Sequence, residues 1–458
     1  MVVLVLWPTK MSAAWQQLGI IFIAPATQFF CTATNLTQKV EMDTCYSDCV
    51  KYRYETEFHN TIISQWDLVC DRAWMSNFTQ TLNMFGVLIG SIFFGFVADK
   101  YGRRPALLIA CMLQSLTTMV QGFCPNYWLF STVRFFLGIS TAGVLLCAFI
   151  FIVEITGARK RELIACIAAL PISTGEMIMP LFGYLLRTYD MFCLGVAVPN
   201  LMYVIYFFIM PESPKWLISV GRMEEASVVM ERIAKWNNLP SENMLAIANN
   251  IAAENKTSDP TKNAKVSYLN LVKTKKLRLY TLCSCTVWFI LGIMFYGSNQ
   301  YIGQTSSNVF LSIFLAGAMQ IPGDIAATAL CKYFGRRKTL IGFLAVSAMS
   351  SSLLAVPNEW PSSFYVKLAA GSVCVCFASG VFAVIYLYTS ELFPTIARNM
   401  GMGASSTVSR IGSMIAPFVA TLNVVAFWLP PVIFALIPLL AALAIYCLPE
   451  TKGKKLPD

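Results

Sequence analysis

The sequence predicts an all-α membrane protein of twelve helices in two pseudo-symmetric halves of six, and three observations predict it. Hydrophobic residues fill 57% of the 458 positions and charged residues only 13%, with a mean hydropathy of +0.61. A soluble fold of this size needs far more polar surface. About twelve apolar runs almost fill the chain, each near the ~20 residues that cross ~30 Å of hydrocarbon. Three short motifs then occur twice at nearly one offset. Gly102-Arg103-Arg104 returns as Gly335-Arg336-Arg337 after 233 positions, Glu154 as Glu391 after 237, and Pro211-Glu212-Ser213 as Pro449-Glu450-Thr451 after 238. A duplicated hydrophobic half is the layout of carriers in which two bundles rock about a central site.

Residues 1–24 read as the first transmembrane helix, with Pro8 and Lys10 inside it. A cleaved signal peptide is the rival reading, but no small-residue cleavage site follows a tight apolar core. The run starts almost at Met1, so the helix is expected to be truncated there. The net charge of +10 does not point to nucleic acid, because the basic residues fall in alternate short loops. Lys100, Arg103 and Arg104 form one group; Arg159, Lys160 and Arg161 a second; Lys273, Lys275, Lys276 and Arg278 a third; Arg336, Arg337 and Lys338 a fourth. This is the positive-inside pattern, which puts those loops and both termini in the cytoplasm and residues 25–74 outside.

The exterior segment carries Cys31, Cys45, Cys49 and Cys70, an even set in the compartment where disulfides persist. Two bridges are expected, with three connectivities open. Asn35 begins an exposed glycosylation sequon in the same loop, whereas the Asn77 sequon lies at the lip of the second helix and that of Asn255 on the cytoplasmic side. Residues 75–210 hold helices two to six. Residues 211–276 form a cytoplasmic linker in which Ala226, Val229, Met230 and Ile233, then Leu245, Ala248, Ile251 and Ala252, recur at helical spacing. Two short amphipathic helices are expected, with a polar connector over 254–265. Residues 277–448 hold helices seven to twelve, and 449–458 form a cytoplasmic tail.

His59 is the only histidine, which removes histidine-based acid–base chemistry and a multi-histidine metal site. No GxxxxGK loop is present, which removes an ATP-driven pump. The chain is read as neither an enzyme nor a cofactor protein. Its energy source is a gradient, with sodium symport, proton coupling, exchange and facilitation all open.

The segment Gly95 to Arg104, with Asp99, Arg103 and Arg104, resembles the loop signature of the major facilitator superfamily; its second copy has Lys332 in place of the aspartate and Thr328 in place of the first glycine. Four longer stretches are more specific: Asn60 to Asp71, Pro211 to Arg222, Tyr388 to Gly403 and Leu448 to Gly453. Together they resemble the organic cation, carnitine and organic anion transporter family, above all its invertebrate members. The resemblance implies a central cavity with alternating access at the plasma membrane. It also implies that Asp99, Arg103, Arg104, Glu154, Arg159, Glu391 and Arg398, at the cytoplasmic ends, form salt bridges that close the inward gate.

In that family the eleventh helix sorts substrates by charge, with an arginine in anion and carnitine carriers; here the position is Arg410, ~18 Å deep at 1.5 Å per residue. Asp324 on the eighth helix lies at ~17 Å, the same level. The two can grip opposite ends of a zwitterion or neutralise each other as a structural pair. Arg134 and Glu176 pose the same question in the first half, where a structural ion pair is expected. Trp288, Phe295, Tyr296, Phe382 and Tyr386 match aromatic cavity positions of the family, where rings hold quaternary ammonium groups by ~0.5–2 kcal/mol each. The resulting expectation is a carrier of carnitine-like zwitterions or organic cations, with an organic anion carrier or a transport-inactive receptor as alternatives.

Overall fold

The computed structural model describes residues 5–32, 42–46, 49, 51–156, 167–237, 240–257, 271, 273–357, 360 and 363–453. The long helices are numbered α1 to α12. The first half holds α1 (Trp7–Leu18, prolonged by Ile20–Ile23), α2 (Trp74–Tyr101), α3 (Arg103–Gln121), α4 (Tyr127–Ile155), α5 (Leu170–Leu185) and α6 (Tyr189–Asn200, running on to Ile209). The second holds α7 (Lys275–Thr305), α8 (Val309–Phe334), α9 (Arg336–Leu353), α10 (Ser363–Leu392), α11 (Thr395–Ala420) and α12 (Leu429–Tyr446).

Among the described residues, α2, α4, α6, α7, α8, α10 and α12 are each long and apolar enough to span a membrane by themselves. The other five are shorter or carry polar residues toward protein. In α1 Thr9, Lys10, Ser12, Gln16 and Gln17 are all buried, so its polar positions face neighbouring helices rather than lipid.

Packing repeats the duplication. In the first half α1 packs on α5, α2 on α4 and α3 on α6; in the second α7 packs on α11, α8 on α10 and α9 on α12. The halves meet through α5 with α8 and α2 with α11, and these two junctions are images of each other under the same duplication. At the α5–α8 junction Gly317 lets the backbones touch, since a Cβ there would lie 2.5 Å from the Met177 nitrogen.

The exterior segment folds into a two-stranded antiparallel sheet, β1 (Gln28–Cys31) and β2 (Tyr52–Glu55). Its bridges are Cys31–Cys49 and Cys45–Cys70, which settles the connectivity. The segment is fastened to the first half, where the His59 N–H donates to the Arg187 carbonyl and the Tyr189 N–H to that of Asn60, both at 2.9 Å. Asn35 and Arg159 lie outside the described residues. Asn77 is buried and donates to the Thr421 hydroxyl at 2.9 Å, which is a packing role. Between the halves three helices form, Pro214–Val220, Met223–Trp236 and Met244–Thr257, one more than the periodicity indicates. The first is held by the Ser213 hydroxyl, which accepts the Trp216 N–H at its N-terminus.

Candidate functional site

The repeated motifs build one device twice. Gly102 and Gly335 hold φ of +113° and +89°, and a Cβ at either would run into the carboxylate of Glu212 or Glu450. Those carboxylates accept the first backbone N–H groups of α3 and α9: Glu212 from Arg103 at 2.9 Å and Arg104 at 3.1 Å, Glu450 from Arg336 at 2.9 Å and Arg337 at 3.1 Å. An anion at a helix N-terminus satisfies orphan donors and meets the positive end of the helix dipole. The arginine side chains then reach α4 and α10, pairing Arg103 with Glu154 and Arg336 with Glu391, each at 2.9 Å. The copies differ at Asp99, which pairs with Arg103 at 2.7 Å, and at Thr451, whose hydroxyl donates to Glu391 at 2.6 Å.

This arrangement revises the expected cytoplasmic network. Glu391 is held by Arg336, and Arg398, expected among the salt-bridged residues, has its Nε and Nη2 buried without a hydrogen-bond partner. The ion pairs described at these ends each lie inside one half. The side chain of Arg104 reaches the Phe207 carbonyl of α6 at 2.6 Å, again within its own half. The capping glutamates, visible in the sequence only as a repeated Pro-Glu pair, carry as much of the clamp as the arginines do.

Among the described residues, the hydrogen bonds that join the halves lie at mid-depth and toward the end that bears the disulfide-bridged segment. Asn77 reaches Thr421, the Thr81 hydroxyl donates to the Met414 carbonyl at 2.8 Å, the Tyr296 hydroxyl to Gln17 Oε1 at 2.6 Å, and Gln320 Nε2 to Glu176 Oε2 at 2.6 Å. Phe310 of α8 enters an aromatic socket of the first half, 5.8 Å from Phe22, 5.5 Å from Phe58 and 5.6 Å from Tyr184, with the Arg187 guanidinium 5.0 Å from its ring. These contacts tie the two halves together at that end.

The mid-depth charges stand apart from one another. Arg134 and Glu176 form no ion pair: Arg134 Nη2 donates to Gln80 Oε1 at 2.5 Å, and the partner of Glu176 is Gln320. Two intervening glutamines, each on a different helix, replace the expected contact. Asp324 and Arg410 are not paired either. Ser379 of α10 donates to Asp324 Oδ1 at 2.7 Å, and Arg410 Nη1 donates to the Tyr296 hydroxyl at 3.2 Å. Each charge therefore rests on a neutral oxygen, which leaves an ionic partner to come from elsewhere.

Around Arg410 the aromatic residues divide. Tyr296 and Phe382 are partly buried and meet the buried Phe295 edge to face at 5.3 and 5.4 Å, and Tyr386 is 37% exposed. Trp288 is 1% exposed, donates to the Thr389 hydroxyl at 3.0 Å and packs 4.5 Å from Tyr386. It belongs to the core of the second half and backs the site rather than lining it. Sequence reasoning noted Lys10 inside the first helix without giving it a role; it is 4% exposed and its only described acceptor is the Ala168 carbonyl at 2.7 Å. A lysine within an apolar first run was the available signal.

A family profile described as "Sugar (and other) transporter" matches residues 8–458. The chain is 31% identical over 412 residues to solute carrier family 22 member 16 of Xenopus laevis, covering 90% of this chain and 72% of that protein. The chain belongs to solute carrier family 22. The organic cation transporter protein of Drosophila melanogaster is 29% identical over 415 residues, covering 90% of this chain and 75% of that one, and organic cation/carnitine transporter 2 of Homo sapiens is 29% identical over 402, covering 87% and 71%. Among solved structures, the inward-open xylose transporter of E. coli superposes with a TM-score of 0.72 at 18% identity, covering 99% of this chain and 97% of that one, and shares the fold. The family member described here is a multi-pass transporter of the plasma membrane, with the twelve-helix fold of the major facilitator superfamily.

Proposed function

We propose that this carrier moves small organic zwitterions and amines of the carnitine type, with Arg410 receiving the carboxylate and Asp324 the ammonium end. The observation that carries the reading is the pairing of each mid-depth charge with a neutral hydroxyl instead of with the other. A half-buried guanidinium and a buried carboxylate near the midplane without ionic partners are costly unless a ligand or water completes them. Tyr296, Phe382 and Tyr386 supply ring faces for a quaternary ammonium. The printed names of the relatives, organic cation and carnitine transporters, agree with that substrate class.

Glu176 belongs to the same reading as a junction residue that senses closure through Gln320. Glu154, Glu391 and their arginines hold the cytoplasmic ends of each half rigid, so that opening and closing is a movement between halves. Uptake into oocytes of labelled carnitine, tetraethylammonium and a dicarboxylate, with sodium present or replaced and with an imposed pH gradient, tests the substrate and the driving ion together. Carnitine uptake exceeding that of the dicarboxylate is expected. Dicarboxylate uptake alone assigns the site to organic anions, and no uptake by protein at the cell surface assigns the fold to a receptor.

A further inference from the structure

The hydroxyl of Tyr296 is held from both halves of the protein. Arg410 Nη1 of α11 donates to it at 3.2 Å, and the hydroxyl in turn donates to Gln17 Oε1 of α1 at 2.6 Å. A phenol has a single proton, so a tyrosine that accepts from an arginine must direct that proton at an acceptor. The Gln17 amide oxygen therefore faces Tyr296, and the orientation of the amide is fixed by its partner. Its NH2 group is left over. Gln17 is 7% exposed, and Nε2 is buried without a hydrogen-bond partner, while the Gln17 backbone carbonyl is taken by Gln80 Nε2 at 2.8 Å. A buried amide donor without a protein partner is open to an acceptor from outside the chain, a water or a ligand.

The surroundings say what that acceptor is. Among the described residues Arg410 forms no ion pair, and its guanidinium offers five N–H donors of which one hydrogen bond is accounted for. Guanidinium and amide bond the same hydroxyl, and the groups each has left over, the other Arg410 N–H groups and Gln17 Nε2, are donors. A carboxylate has two acceptor oxygens in a plane and matches such a double donor; a quaternary ammonium has nothing to offer it.

We propose that Gln17 is a specificity-determining residue: its amide nitrogen is the first half's donor to the substrate carboxylate that Arg410 receives from the second half. The inference rests on the reading of Arg410 as the carboxylate site. It adds that the carboxylate is read across the junction, by α1 and α11 together. A zwitterion then ties the halves at mid-depth, whereas a plain cation is carried without that tie.

The test is saturation uptake of labelled carnitine and of tetraethylammonium by the full chain, normalised to surface protein. Gln17→Leu should raise KM for carnitine about tenfold and leave tetraethylammonium within twofold. Gln17→Glu, of nearly equal size, should raise KM for carnitine further and lower that for tetraethylammonium, and Gln17→Asn should fall between Leu and the native residue. These two variants carry the test where the leucine variant fails to reach the surface. Tyr296→Phe separates direct contact from support: if it reproduces the whole Gln17→Leu effect, Gln17 acts only by holding Tyr296 and the proposal is overturned. Selectivity lost in Arg410→Ala but retained in Gln17→Leu also overturns it while keeping the Arg410 site. Selectivity unchanged in both removes the Arg410 reading and this inference with it.

Discussion

At their cytoplasmic ends the two halves are near copies, and at mid-depth they are not. The clamps Glu212–Arg103–Glu154 and Glu450–Arg336–Glu391 agree to within 0.1 Å in their compared contacts, since both ion pairs measure 2.9 Å and both pairs of capping bonds 2.9 and 3.1 Å. Roughly 18–30 Å along the helices, at 1.5 Å per residue, the symmetry has gone. Arg134 rests on Gln80 and Lys10 on a backbone carbonyl in the first half, while Arg410 rests on Tyr296 and Asp324 on Ser379 in the second. The difference teaches which constraint acts where. Each half must remain a rigid body while it moves, so the clamp was kept in both copies. On the proposed reading the mid-depth residues face an asymmetric substrate, and it is there that the copies diverged.

The largest effect should come from breaking a clamp. Glu391→Arg would set two guanidinium groups against each other at side chains only 16% and 18% exposed, and losing one partner of a buried pair costs about 3–5 kcal/mol. Surface biotinylation should show a severalfold loss of mature protein, and Glu154→Arg should show the same loss. Normal surface levels with abolished uptake would move these glutamates from holding the halves to gating them.

Much of this was legible in the sequence because it repeats or because it is chemically costly. The duplicated Gly-Arg-Arg and Pro-Glu motifs marked the halves, the basic loops marked the sides, and the four exterior cysteines marked the bridged segment. What stayed hidden was pairing. Depth along a helix gave Arg134 and Glu176 one level, and Asp324 and Arg410 another, but not the direction of each side chain around its helix. Neutral partners such as Gln80, Gln320, Ser379 and Tyr296 carry no charge signal, so nothing in the sequence showed them intercepting the ion pairs. The same blindness put Trp288 in the cavity when its indole lies in the core.

A smaller effect sharpens the mid-depth side of the comparison. Because Glu176 is met by an amide rather than by Arg134, Glu176→Gln should keep surface expression within about twofold, where an ion-pair partner would be lost with a cost of about 3–5 kcal/mol. Expression quantified beside Arg134→Gln checks it, and a collapse rescued only by the double change would restore the ion pair.

The smallest effect is expected at Asp99, one of the two places where the clamps differ. Asp99 is 74% exposed, and an exposed pair contributes about 0–1 kcal/mol. Asp99→Asn should therefore change neither surface level nor thermal stability measurably, and Lys332→Asp should fail to strengthen the second clamp. A loss equal to that of Glu154→Arg would mean that the first clamp depends on Asp99 and that the two are not equivalent.

The central claim is that the unpaired mid-depth charges of the second half belong to the substrate. Uptake of labelled carnitine and tetraethylammonium by Arg410→Ala, Asp324→Ala and the double variant, each normalised to surface protein, tests it most directly. Arg410→Ala should lower carnitine uptake most, Asp324→Ala should lower both ammonium-bearing substrates, and the double variant should be worse than either, with surface levels preserved throughout. Equal loss of both substrates in each single variant, with surface protein depleted and recovered only in the double, would show the two charges neutralising each other and contradict the account.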